Sequence, residues 1–375
     1  MAEKFSLKDH LFNSETVNQL AAEFAQGVPG FDANAFAAQA LTGFPERELM
    51  QRLEWLADCL EPQLATDFDK MAAQIEAALP DKLDPTLSDD DFGHFIHAVP
   101  GVLAVRHGLE HHCSRALNLL YEATQRFSME FYIRPFLNTW PDETLDRLGV
   151  WAKDENYHVR RLVSEGTRPK LPWAKNVALT SDQTLPFLDM LHADPARFVT
   201  RSVANHLNDI SKTDPEAVLS RLAAWTSAAK QTPKELDWMR RHALRTLIKH
   251  GHAGAMNALG YREDVDVSVQ LRVTAPCVKI GEALEFEADI TTKTAEPLMI
   301  DYVLWLTKAG GARAPKVFKL KAAKARAGKP LTVRKVHKFK GDATTFTLYP
   351  GPCRLGLQVN GRIVDEAEFE LLPSK

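Results

Sequence analysis

The sequence predicts an α + β multidomain protein: an α-solenoid of HEAT-like helical repeats followed by an all-β sandwich. Three observations carry this. Apolar residues recur at helical spacing through the first two thirds, the middle repeats itself every 40 residues, and after Gly260 the chain changes to alternating, β-branched strings. At 375 residues, 45% apolar and 25% charged, the chain has room for two or three domains and excludes a disordered, collagenous or coiled-coil protein.

Residues 1–100 form the first, acidic part of the solenoid. Helical runs alternate with breakers such as GVPGFD, and Leu49, Leu53, Leu56 and Leu60 make one apolar stripe. Residues 101–262 continue in shorter helices with explicit start signals: Pro141-Asp142-Glu143, Ser181-Asp182, Asp194-Pro195, Asp214-Pro215 and Thr232-Pro233. Here NYHVRRLVSEG, ARFVTRSVANH and DWMRRHALRT bring Val159, Val199 and Met239 into register, followed by Arg161, Arg201 and Arg241. A helix pair of about 40 residues is the period of HEAT and armadillo stacks, whose second helices line one surface. Residues 263–375 contain VDVSVQLRV, ALEFEADITT, MIDYVLWL, TVRKVHKF, CRLGLQVNG and EAEFELL between Gly and Pro punctuation, which reads most simply as a sandwich. Within it, Tyr349 is placed for a tyrosine-corner hydrogen bond.

Charge is unevenly spread. Residues 1–100 carry 6 Lys and Arg against 18 Asp and Glu, whereas Lys308–Lys340 holds twelve basic residues and no carboxylate. That run favours a polyanion such as a phosphate backbone; its plainer reading is a solvated β-loop whose lysines protect a sheet edge. No stretch approaches the roughly 20 apolar residues of a spanning helix, and MAEKFSLKDHLFN lacks the apolar core of a secretory signal. The expectation is a cytoplasmic protein without membrane contact. Its four cysteines form no C-x-x-C pair and read as free thiols, with Cys277 and Cys353 in the β-domain expected to be buried. His107, His111, His112 and Cys113 have the look of metal ligands but lack a further ligand cluster, so no metal is expected.

Candidate chemistry lies on three segments. Glu130 and Arg134 are spaced i, i+4, as are Arg161 and Glu165; Arg201, Asn205, Asn208 and Asp209 share a helix face. Stacked side by side, they would place two or three carboxylates in a groove rich in Arg and amide groups. As mere surface ion pairs they would be worth about 0.3–0.5 kcal/mol each.

The strings SMEFYIRPFL, HVRRLVSEGTRPKLPWA and SVANHLNDISKTDP, with SLKDHLFN near the start, resemble those of the AlkC branch of the bacterial DNA alkylation-repair glycosylases, a HEAT-like family related to AlkD. The resemblance spans almost the whole chain and implies that the β-domain is immunoglobulin-like. It implies hydrolysis of the N-glycosidic bond of cationic N3-alkylated bases, 3-methyladenine and 3-methylcytosine, without deep base flipping. Carried over by position, the catalytic residues would be Glu130, Glu165, Trp173 and Asp209. Because the alkylated base is already a cationic leaving group, carboxylates need only stabilise an oxocarbenium-like sugar and orient water, and a tryptophan face adds cation-π attraction. Arg134, Arg160, Arg161, Arg168, Lys170, Arg201, Asn205, Asn208, Lys212 and Lys335 would hold phosphates. Lys170 and Lys212, the nearest amines, are read as phosphate contacts and not as nucleophiles, so the enzyme is expected to be monofunctional. The expected partner is alkylated double-stranded DNA, bound by a monomer that needs no cofactor. The alternatives are a non-catalytic HEAT-like binder of damaged DNA and a protein-interaction scaffold.

Overall fold

A computed structural model describes residues 5–341 and 346–374. Helices run from Leu7 to Ala258 and eight strands from Val267 to Leu372. The chain divides into two compact units: residues 1–210 with 225–239, and residues 211–224 with 240–375. The change from helix to strand and the division into compact units thus fall at different places, because helical residues 240–258 belong to the unit that holds the sheets.

Helix starts follow the local chemistry. Asn13, Asp32, Asp67 and Asn156 accept backbone N–H groups at the starts of Ser14–Gly27, Ala33–Gly43, Phe68–Ala77 and Tyr157–Gly166. Proline opens Pro141–Trp151, Pro215–Ala228 and Pro233–Ala243, where its missing N–H is of no consequence. Pro141–Trp151 packs against Tyr157–Gly166 and Ser181–Leu191 against Arg197–Ile210, in step with the 40-residue register, and Pro215–Ala228 and Pro233–Ala243 follow in the chain. Val159, Val199 and Met239 are each wholly buried, so the repeat marks equivalent core positions. In the acidic part, Leu53, Leu56 and Leu60 are likewise buried.

The strands are β1 (Val267–Val273), β2 (Cys277–Lys279), β3 (Ala283–Thr292), β4 (Pro297–Thr307), β5 (Arg313–Lys324), β6 (Leu331–Lys338), β7 (Gly351–Val359) and β8 (Arg362–Leu372). They form a three-stranded sheet in the order β1-β3-β6 and a five-stranded sheet in the order β2-β8-β7-β4-β5. Residues of both sheets meet in two apolar clusters, one around Phe286, Tyr302, Phe339 and Phe369, the other around Ile290, Ile300, Val333 and Leu357. This is the sandwich that the alternating strings predict.

Three expectations for this domain change. The basic run is no loop through most of its length: it forms edge strand β5, paired along β4, then edge strand β6. Two of its arginines also find carboxylates from elsewhere in the sandwich, Arg313 with Glu368 at 3.1 Å, and Arg334 with Glu287. Tyr349 is exposed and its hydroxyl has no hydrogen-bond partner among the described residues; Tyr302 instead bonds His337 at 2.8 Å. Among the cysteines, all unpaired, Cys277 is exposed and the other three are buried.

Candidate active site

Glu165 lies in the last turn of the Tyr157–Gly166 helix, which packs against Arg197–Ile210. Arg168 reaches Glu165 Oε1 at 2.5 Å, and the Ser202 hydroxyl donates to Oε2 at 2.6 Å. Arg168 also donates to Asp209 Oδ2 at 2.9 Å. On the other side, Arg161 stands 3.8 Å from Glu165 and donates to Glu130 Oε2 at 2.8 Å, and the Ser128 hydroxyl donates to that same oxygen at 2.8 Å. A continuous chain therefore runs Glu130, Arg161, Glu165, Arg168, Asp209, three carboxylates bridged by two guanidinium groups. It joins residues up to 79 positions apart, from Glu130 to Asp209.

The chain is well shielded from water: the side chains of Glu130, Glu165 and Asp209 are 16%, 6% and 4% exposed. Burial alone would push the Glu165 carboxyl up. Arg161, Arg168 and the Ser202 hydroxyl outweigh burial and hold it below the usual range, so it is ionised at neutral pH. The same burial would lower the pKa values of Arg161 and Arg168, but their carboxylates raise them. His206 is wholly buried, with Nδ1 3.0 Å from the Ser164 carbonyl; burial depresses its pKa to about 4, so it is neutral.

The structure alters several assignments. Glu130 lies in a turn before the Ile133–Thr139 helix, so Glu130 and Arg134 make no helical ion pair. Arg134 is fully buried and cannot touch a phosphate; it donates to the carbonyls of Gly166 (2.9 Å), Arg168 (2.8 Å) and Lys175 (2.5 Å). By stitching the loop after Glu165 onto the Ile133–Thr139 helix, it fixes the site's backbone. Arg168, held between two carboxylates, is likewise withdrawn from the expected phosphate contacts, and Asn208 is buried. Arg160 pairs with buried Asp194 at 2.5 Å, and Arg201 with Asp89 at 2.7 Å and Asp90 at 3.2 Å. Lys170, Lys212 and Lys335 are exposed, and Asn205 is half-buried. Trp173 is 66% exposed, takes a left-handed φ of 64°, and lines a separate depression with Phe131, Pro135 and Lys175. It makes no hydrogen bond or ion pair with the carboxylate chain among the described residues.

On the Arg197–Ile210 helix, the face turned to Glu165 is Phe198, Ser202, His206 and Asp209, spaced i, i+4, i+8 and i+11, not the one led by Arg201. Phe198 lies under the Arg161 guanidinium, 4.3 Å from its carbon to the ring centroid. Ser128, Ser202, His206 and Phe198 were not singled out in the sequence. The spacing of three, seven and eleven residues back from Asp209 was the available signal; for Ser128 there was none.

Residues 127–250 match the family model described as DNA alkylation repair enzyme, and residues 267–373 match that of the C-terminal Ig-like domain of YhaZ. An uncharacterized protein of Bacillus subtilis (strain 168), YhaZ, is 32% identical over 370 residues, covering 96% of this chain and 98% of the relative. A solved structure of the Pseudomonas fluorescens alkylpurine DNA glycosylase AlkC, bound to DNA containing an abasic site analog, superposes with a TM-score of 0.87 at 33% identity, over 98% of this chain and 99% of that one.

The chain belongs to the AlkC branch of the DNA alkylation repair family. As an AlkC-type chain it has a helical domain followed by an Ig-like β-domain, and the Glu130–Asp209 cluster lies wholly within the part matched by the alkylation-repair model. Among the described residues, no helix is long and apolar enough to cross a membrane.

Proposed function

We propose that this protein is a monofunctional DNA glycosylase that hydrolyses the N-glycosidic bond of cationic N3-alkylated bases, 3-methyladenine and 3-methylcytosine, in duplex DNA. The observation that carries the reading is Glu165: a buried carboxylate kept ionised by Arg161, Arg168 and Ser202, in a chain that resembles a DNA-bound alkylpurine glycosylase over 98% of its length.

N3 alkylation gives the base a formal positive charge, so the bond breaks without a general acid. The remaining task is to stabilise positive charge at C1′ and present water to it. Arg161 and Arg168 neutralise most of the cluster's negative charge at a distance, so it exerts little long-range pull on any cation. At contact range its fixed oxygens act in a site with little water, where electrostatic interactions are stronger. Glu165 and Asp209 supply the field, and Glu130, the most exposed of the three, orients the water. Trp173, with its exposed indole, would offer a π face to the cationic nucleotide. Exposed Lys170, Lys212 and Lys335 would take phosphates.

The test is a mass-spectrometric inventory of free bases released from methylated duplex DNA. Release of 3-methyladenine or 3-methylcytosine by the wild type, and its loss in Glu165→Gln with DNA binding retained, is the expected result. DNA binding without release of any base would leave a non-catalytic binder of damaged DNA.

A further inference from the structure

The unit formed by residues 211–224 and 240–375 contains a cavity of about 140 Å³ between strands β4–β5 and the helical residues 241–259. By that measure it holds several waters, enough for a small ligand. Its walls are Ile248, Leu259, Met299 and Val317, and four cations line it: Arg241, Arg245, Lys249 and Lys319.

The unexpected member is Asp301. Along β4, Leu298, Ile300, Tyr302 and Leu304 fill the sandwich core, so the strand's period of two turns Met299 and Asp301 to the opposite face, into the cavity. Asp301 is 4% exposed, and its carboxylate makes no hydrogen bond or ion pair among the described residues, although Lys319 stands opposite it in the ladder. A carboxylate that faces a small cavity with no hydrogen-bonding protein partner is costly and calls for a reason. The ladder is also irregular there. Register shifts between the pairs Ile300–Lys321 and Asp301–Lys319, leaving Leu320 as an extra residue on β5, the kind of bulge that re-aims side chains beside binding sites. The neighbouring backbone is closely packed. Gly251 and Gly361, both at positive φ, approach so closely that a Cβ on Gly251 would lie 2.3 Å from the Gly361 carbonyl oxygen. Asn360 ties the β7–β8 turn to Met299 N at 2.8 Å and to the Arg262 carbonyl at 2.8 Å.

A ligand suited to this cavity brings N–H donors for an acceptor-only carboxylate, a flat apolar surface for the Ile248 and Met299 walls, and an anionic group for the cations. We propose that the cavity is a second binding site, for a guanine nucleoside monophosphate, with the guanine ring N–H and amino group donating to Asp301 and the phosphate held by Arg241, Arg245, Lys249 and Lys319. Guanine alone among the DNA bases offers two adjacent donors on one edge, matching the two oxygens of a carboxylate. The site shares no residue with the carboxylate cluster and does not depend on the proposed glycosylase chemistry.

The test is calorimetric titration of the full-length protein with dGMP, dCMP and inorganic phosphate. The wild type is expected to bind dGMP saturably and at least tenfold more tightly than dCMP or phosphate. Asp301→Asn removes that preference without lowering the Tm at pH 7.5, and Lys249→Ala weakens both nucleotides alike. Absence of saturable dGMP binding at millimolar concentration, or equal affinity for dGMP and dCMP, overturns the proposal using the wild type alone. A lower Tm in Asp301→Asn also overturns it, since it would make Asp301 a structural partner of Lys249 and Lys319.

Discussion

Glu165 in the helical unit and Asp301 in the β-containing unit are both buried carboxylates, and their environments push them in opposite directions. Glu165 has two guanidinium groups and a hydroxyl at hand, and its pKa falls. Asp301 has no hydrogen-bond partner among the described residues; burial pushes its pKa up to about 6 against the weaker opposing effect of Lys319 and Lys249. Burial is common to both, so it cannot be what distinguishes them. The partners decide whether a buried carboxyl is a permanent anion or a group that titrates near physiological pH.

The sharpest way to break this contrast is to remove the partner. Arg168→Ala leaves Glu165 and Asp209 facing each other without their shared guanidinium, and stability should fall by about 3–5 kcal/mol in denaturant titrations at pH 7.5. A loss under about 1 kcal/mol would mean that water already screens the cluster. Glu165→Gln, which keeps the shape and removes the charge, should reduce base release on the order of 10²–10³-fold, with DNA affinity nearly unchanged in binding titrations. Full activity would show that the buried anion is structural and that Glu130 or Asp209 carries the chemistry.

The two groups also predict opposite pH dependence. Glu165 has a lowered folded pKa, so its contribution to stability is present above its unfolded value and is lost as acid protonates it. Asp301 has a raised one: between its ordinary 3.8 and about 6, the folded state binds the extra proton, and stability falls as pH rises through that window. Thermal melts of Asp301→Asn against wild type should therefore coincide near pH 4 and diverge by pH 7, with the variant more stable by about 1–3 kcal/mol. Parallel curves would show that Asp301 finds a partner in solution. The smallest effects separate contact from support. Ser202→Ala should cost about 1–3 kcal/mol through the lost hydrogen bond to a charged group, read as reduced stability and weaker base release together. Trp173→Ala should leave Tm within a degree or so, because the indole is largely exposed, so any fall in base release reads directly as contact with the nucleotide.

Most of the fold was legible. Helix starts at Pro141, Ser181, Pro215 and Pro233 coincide with the observed ones, since a cap or a helix-opening proline acts within a single turn. Six of the eight strands overlap the alternating strings, β1 and β3 lying wholly inside theirs, and the exceptions are instructive. β2 has only three residues, too short for a period, and β5, crowded with lysine, reads as a loop because an edge strand's exposed face need not be apolar. The candidate site was half legible. Glu130, Glu165 and Asp209 were chosen from the resemblance and meet in space, while Arg134 and Arg168 were assigned to phosphates although they are buried. A guanidinium looks the same in a sequence whether it points to solvent or into a cluster.

By itself, then, the sequence determined where helices begin, where period 3.6 gives way to period 2, which positions repeat every forty residues, and which family the chain resembles. Those properties are local, or recur at fixed spacing, and local backbone chemistry enforces them. Which helix face turns inward, whether an arginine binds a carbonyl, a carboxylate or solvent, and whether a buried acid is paired were decided only when the elements packed. Each depends on a particular donor or acceptor 31 to 41 residues away, whose identity no hydrophobic period encodes.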